Sequence, residues 1–137
     1  MNYGKIIYDL LSAGTYIAFA NKIMPVTIAQ GTELPAIAYT KAVEPIQSFI
    51  GKNCIEDVNF NLYVFDDSPD DLDTLVQNIR KELEAVATPY INDTMTVQDI
   101  TYIGTDHEGY DKDLFGDGVG RYFVVVKYNF KIKSDID

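Results

Sequence analysis

The chain has 137 residues, 47% of them apolar and 23% charged, with 21 acidic against 11 basic side chains and a formal net charge of −10. That length fits one domain around one core, able to bury about two-thirds of its unfolded surface without disulfide or metal staples. The charge argues against direct nucleic-acid binding, because such affinity comes largely from clustered Lys and Arg that release counterions.

In chain order, Tyr3, Ile6, Ile7, Leu10 and Leu11 recur at helical spacing until "SAG", which predicts a short amphipathic helix over 3–12. Residues 15–21, "TYIAFAN", are ambiguous and allow a second short turn. The stretch "KIMPVTIAQGTELPAIAYTKAV" reads as two extended pieces around a loop. Pro25 makes the first piece an edge strand or irregular, "GTELP" breaks the chain, and a strand is expected from Ala36 to Val43, ended or bulged by Pro45.

In "EDVNFNLYVFD", Val58, Phe60, Leu62 and Val64 alternate with Asn59, Asn61 and Tyr63, the pattern of a strand with one buried face. The following segment opens on a helix start. Ser68 is placed to cap free N–H groups, Pro69 suits the first helical position, and Asp70 and Asp71 favour the positive end of the dipole. Leu72, Leu75, Val76, Ile79, Leu83 and Val86 form one apolar stripe.

Beyond Pro89, "MTVQDITYIGTDH" and "GRYFVVVKYNFKIK" are strand candidates. In the second, Tyr122, Val124, Val126, Tyr128, Phe130 and Ile132 share a face. The other face is apolar at Phe123 and Val125 and polar from Lys127 onward. A strand apolar on both faces at one end is either central or covered, for instance by a neighbouring subunit. The elements together predict one α+β domain over 1–137: a mostly antiparallel sheet of about four to five strands on two main helices, with a solvated tail at 134–137.

Few residues carry chemistry. "DHEGYDKDLFGDG", residues 106–118, has five carboxylates and three glycines. Read as a calcium loop from Asp111, it supplies Asp113 and Gly116 in register. It fails at Phe115 and at Tyr122, where oxygen ligands are required, and strands flank it instead of helices. A hairpin connection with solvated acids is the expectation, and "GDGVG" leads into a strand, unlike a phosphate loop.

His107 and Cys54 are the one histidine and the one cysteine. No intrachain disulfide can form, and nothing else in the sequence makes the two a base and a nucleophile. The pairs Asp66–Asp67 and Asp70–Asp71 are expected at a helix start instead of in a catalytic cleft. No metal ligand set, cofactor motif or catalytic set emerges. "MNYGKIIYDLL" lacks the apolar core of a signal peptide, and no run approaches the ~18 apolar residues of a membrane span, so a soluble protein made in the cytoplasm is expected. Ten tyrosines and seven phenylalanines remain, most assigned to the core, with Tyr102 and Tyr110 as candidate interface anchors.

The series Ile23, Pro25, Gln30, Gly31, Leu34, Pro35, Ile37 and Tyr39, after a short N-terminal helix, resembles the tail-completion and tail-terminator proteins of long-tailed phages and prophages. In that family a strand ending near an acidic turn, an amphipathic helix and two closing strands follow, and "FNLYVFDDSPDDLDTLVQNIRKEL" and "RYFVVVKYNFKIK" look like those parts. Met24 stands where the family usually has an aromatic residue.

The resemblance implies a structural virion protein and not an enzyme. It implies a ring of six copies in the tail or neck that caps the tail tube and presents a face to the head-side connector, while DNA passes through. Asp106, Glu108, Tyr110, Asp111, Asp113, Phe115, Asp117, Phe123 and Val125 are the expected subunit or neck contacts. Two alternatives stay open: a small Cys54/His107 hydrolase, and a binding or regulatory domain with a weak divalent-ion loop.

Overall fold

The computed structural model describes residues 3–12, 23–25, 36–48, 53–66, 68–92, 95–111 and 121–135. The elements are α1 (Tyr3–Ser12), β1 (Ile23–Pro25), β2 (Ala36–Ser48), β3 (Asn53–Asp66), α2 (Pro69–Glu84), β4 (Tyr90–Asn92), β5 (Met95–Asp111) and β6 (Arg121–Asp135). The strands form one sheet in the order β1-β2-β3-β6-β5-β4. Every pairing is antiparallel except β1 with β2. The α+β class and both helices match the expectation. β1, at Pro25, takes the edge position expected of it, and the strand number reaches six because β4 adds a three-residue edge too short to show a period in sequence.

The last strand of the chain is central. β6 lies between β3 and β5 and pairs with both along its length. Its register on β3 sets Val58 against Phe130, Phe60 against Tyr128, Leu62 against Val126 and Val64 against Val124. All eight are buried. Phe60 and Phe130 meet edge-on, with ring centroids 5.0 Å apart at 72°. Cross-strand pairs of this kind add to the ~1.5–3 kcal/mol that burial of each large apolar side chain contributes.

Both helices cover this face. α2 packs on β3, β5 and β6 and touches α1, which also packs on β1. Leu72, Leu75, Ile79 and Leu83 point α2 into the core, and Ile6, Ile7 and Leu11 do so for α1. α2 ends at Glu84, so Val86 falls beyond the helix. Pro69 occupies its first turn, but the Ser68 side chain makes no capping bond. The Ser68 carbonyl instead accepts from the Leu72 N–H at 3.0 Å. Asp66 closes β3 and is buried, so it is no part of the helix start.

The opposite face of the sheet is divided. At one end Ala36, Ala38 and Phe65 form a small apolar cluster with Tyr63 and Phe123. At the other it is polar. Asn129 Nδ2 donates to Asn59 Oδ1 at 2.9 Å and to Asp57 Oδ1 at 3.2 Å, and Lys131 Nζ donates to the same Asp57 oxygen at 3.0 Å.

α1 is seated by a close approach at Gly4. A Cβ there would lie 2.9 Å from Tyr39 Cε2, so the absence of a side chain lets the helix rest on the ring. At its other end Asn92 Nδ2 donates to Asp9 Oδ2 at 2.9 Å, and Lys5 Nζ donates to Asn92 Oδ1 at 3.2 Å and to Asp9 at 3.0 Å. The Asn92 bond, followed by Lys5, holds the Asp9 carboxyl below its ordinary value against the opposing effect of burial.

Alanine at Gly4 gains about 1 kcal/mol of helix propensity but must displace Tyr39, an overpacking cost of ~1–3 kcal/mol. Gly4→Ala therefore lowers the urea midpoint in the native background and raises it when Tyr39→Ala has removed the ring. A Gly4→Ala midpoint that rises in both backgrounds would show that the close approach costs nothing. Asp9 has the opposite pH signature to a buried acid. Its lowered pKa stabilises the fold above the unfolded value of 3.8, and this is lost as pH falls through the lower folded value. Asp9→Asn should cost stability at pH 7 and flatten the decline of the urea midpoint below about pH 4.

Candidate assembly surface

The described part of the family-like series is a structural junction. Ile23 is the register partner of Ile37, and Pro25 of Tyr39, across the parallel β1–β2 pair. Ile23 and Ile37 are buried in the main core, and Tyr39 packs against it. Gln30, Gly31, Leu34 and Pro35 lie outside the described residues.

The acidic stretch splits in two. Residues 106–111 are strand, not hairpin loop: Asp106 pairs with Val125, Gly109 with Phe123, Tyr110 with Tyr122 and Asp111 with Arg121. Backbone pairing with β6 makes this segment a strand although "DHEGYD" has no apolar alternation. Asp113, Phe115 and Asp117 lie outside the described residues.

Gly109 explains one glycine of the stretch. A Cβ there would sit 2.9 Å from both Cε1 and Cζ of Phe123, so the Phe123 ring lies over the glycine backbone. From there it reaches Phe65, with ring centroids 6.1 Å apart. Next to it Tyr110 leans on Tyr122 at 4.9 Å while staying 52% exposed. Val125 is only 3% exposed in the single chain, so its burial needs no neighbour. Phe123 is half-buried.

The register also separates the two residues of the hydrolase reading. Cys54 is aligned with Ser134. His107 falls in the β5 irregularity between Asp106 and Gly109, whose β6 partners Val125 and Phe123 are aligned with Tyr63 and Phe65. Along β3 that is most of a strand, roughly 30 Å at ~3.3 Å per residue. A thiol and its base must approach within hydrogen-bond reach, which this register denies.

The described residues contain no group of three His, Cys, Asp or Glu side chains placed to hold a metal ion. Asp57 is held below the ordinary carboxylate range, chiefly by its bond from Lys131 and then by Asn129. That is the opposite of what a general acid needs.

Tyr128 is fully buried, and its hydroxyl has no hydrogen-bond partner among the described residues. Burial, then the charge of Glu84, pushes this phenol far above its ordinary value. Above it Tyr102 packs edge-on at 5.4 Å, and the Arg80 guanidinium lies 3.9 Å over the Tyr102 ring while paired with Glu84 at 3.0 Å. Tyr102 thus belongs to the seat of α2 on β5 and β6. No described helix is long and apolar enough to cross a membrane.

Exposed apolar side chains are placed unevenly. Val43, Ile91, Ile103 and Tyr110, 37%, 72%, 58% and 52% exposed, all lie on β2, β4 or β5, toward the two margins of the sheet. Only Tyr8, at 36%, lies on a helix among the described residues of this kind. Val43, Ile91 and Ile103 were not singled out by sequence, because alternation shows which face a residue takes and not which strand becomes an edge.

Gly109→Ala forces Phe123 off the glycine and away from Phe65. The overpacking cost of ~1–3 kcal/mol should appear as a lower thermal midpoint. In a Phe123→Leu background the same change should cost little, and an equal loss in both backgrounds would show that the ring is not the cause.

No protein-family model matches the chain, and no curated protein matches it. Among solved structures, a chain of "Virion of native gene transfer agent (GTA) particle" is similar in fold, with a TM-score of 0.63 and 11% sequence identity. The similarity covers 93% of this chain and 92% of that chain.

Proposed function

We propose that this chain is a structural protein of a phage-like particle, a ring-forming subunit that caps the tail tube, ends its growth and joins it to the head-side connector. The observation that carries the reading is the fold shared end to end with a chain of a gene transfer agent virion. It agrees with the element order and the Ile23–Tyr39 series that resemble tail-terminator proteins. Six copies, with the tail tube protein on one side and the connector on the other, are what that resemblance implies.

The physical properties suit the role. A net charge of −10 offers translocating DNA few phosphate-binding sites. The acidic stretch, with Asp111, Asp113 and Asp117, is assigned to the bore or to the adjoining ring.

Electron microscopy of the purified protein, alone and mixed with tail tubes, tests the proposal. Rings, or caps at tube ends, are expected, and Cys54→Ala should leave them unchanged. Reversing Asp111, Asp113 and Asp117 to lysine should keep the circular dichroism spectrum and impair particle assembly. A protein that stays monomeric and ignores tail tubes would sink the reading.

A further inference from the structure

Among the described residues both margins of the sheet are mostly unpartnered. β1 pairs only with Ile37, Ala38 and Tyr39, so from Thr40 to Ser48 β2 has no partner on that side among the described residues. β4 pairs only with Met95, Thr96 and Val97, and β5 is likewise unpartnered there from Gln98 to Asp111. An open edge presents unpaired N–H and C=O groups, a template for another strand. A monomer blunts such edges with charge, proline and bulges, and bulges are present at Pro45/Gln47, Val97/Asp99, Tyr102/Gly104 and Asp106/Gly109. Blunting does not account for the exposed apolar side chains at the same margins, Val43 on β2 and Ile103 and Tyr110 on β5.

Strand direction permits a heterologous partner. β2 runs opposite to β3, β3 to β6, and β6 to β5, so β2 and β5 run opposite to one another. A rotation about an axis along the strands keeps each direction. It brings β5 of one copy beside β2 of the next as an antiparallel pair, continuing the alternation already in the sheet. Charge disfavours β5 pairing with β5 of another copy. It carries Asp99, Asp106, Glu108 and Asp111 with no lysine or arginine, whereas the open part of β2 is balanced, with the exposed Lys41 and with Glu44. A contact between two different patches of the same chain is heterologous, and repeated by rotation it closes into a ring.

We infer that the partner at both margins is a second copy of this chain: the open edge of β5, around Thr101–Thr105, pairs with the open edge of β2, around Thr40–Val43, of the next subunit. Ile103 and Val43 are covered at the seam, and the bulges supply the curvature that closure requires. This inference rests on the ring reading above and names its interface.

Disulfide trapping tests it in a Cys54→Ser background. Val43→Cys is combined in turn with Thr101→Cys, Ile103→Cys and Thr105→Cys, and each protein is oxidised alone and with tail tubes. Within one chain β2 and β5 are three strand spacings apart, about 14 Å at ~4.8 Å each, too far for an intrachain bridge. At least one combination should give a ladder of covalent multimers beyond the dimer, whereas each single variant stops at dimer. Ile103→Glu should abolish rings while leaving the thermal midpoint and circular dichroism unchanged. Rings in the microscope with no ladder from any combination would overturn this seam and leave the ring reading standing. The absence of both rings and ladders would overturn the two together.

Discussion

The pairing of β3 with β6 is the contact on which the other layers depend. It joins residues far apart in the chain, Val58 with Phe130 and Val64 with Val124 among them, and places four buried side chains of each strand on one surface. Without β6 the sheet would fall into two pieces, β1-β2-β3 and β5-β4, and α2, which packs on β3, β5 and β6, would have no continuous floor. Burial on this scale offsets the entropy of closing so long a loop, and no disulfide assists it.

Central placement of β6 gives the two sheet faces different characters. One is covered by both helices. The other keeps a network in which Asn129 reaches Asn59 and Asp57, and Lys131 reaches Asp57. Toward the acidic stretch this face turns apolar, where the ring of Phe123 lies on Gly109 and meets Phe65. The same order leaves β2 and β5 with long unpartnered runs among the described residues, since β1 and β4 are each three residues long. The register keeps Cys54 and His107 toward opposite ends of the sheet.

Several elements were legible because their signal is local. Helix α2 announces itself by Pro69, the acids of its first turn and an apolar stripe of period 3.6. β3 does so by strict alternation from Val58 to Val64. Others were misread for want of a neighbour. β5 continues through Asp106–Asp111, where side-chain pattern says loop and pairing with β6 says strand. β6 likewise runs on through Ser134 and Asp135, two residues assigned to the tail. Ser68 has the residue type and position of a cap, yet its side chain does not make the bond. Gly4 and Gly109 matter only through the rings of Tyr39 and Phe123 that approach them from distant strands.

By itself the amino-acid order determined the class of the fold, its two helices, the core face of each long strand and a net charge of −10. These follow from periods and charges that each segment carries alone. Only tertiary structure decided that the final strand sits in the middle, that Val125 is buried while Ile103 is exposed, and that two edges run largely unpartnered among the described residues. Strand order is a property of which segments meet, and burial is set by the partners that arrive, so neither is written in any one stretch of chain.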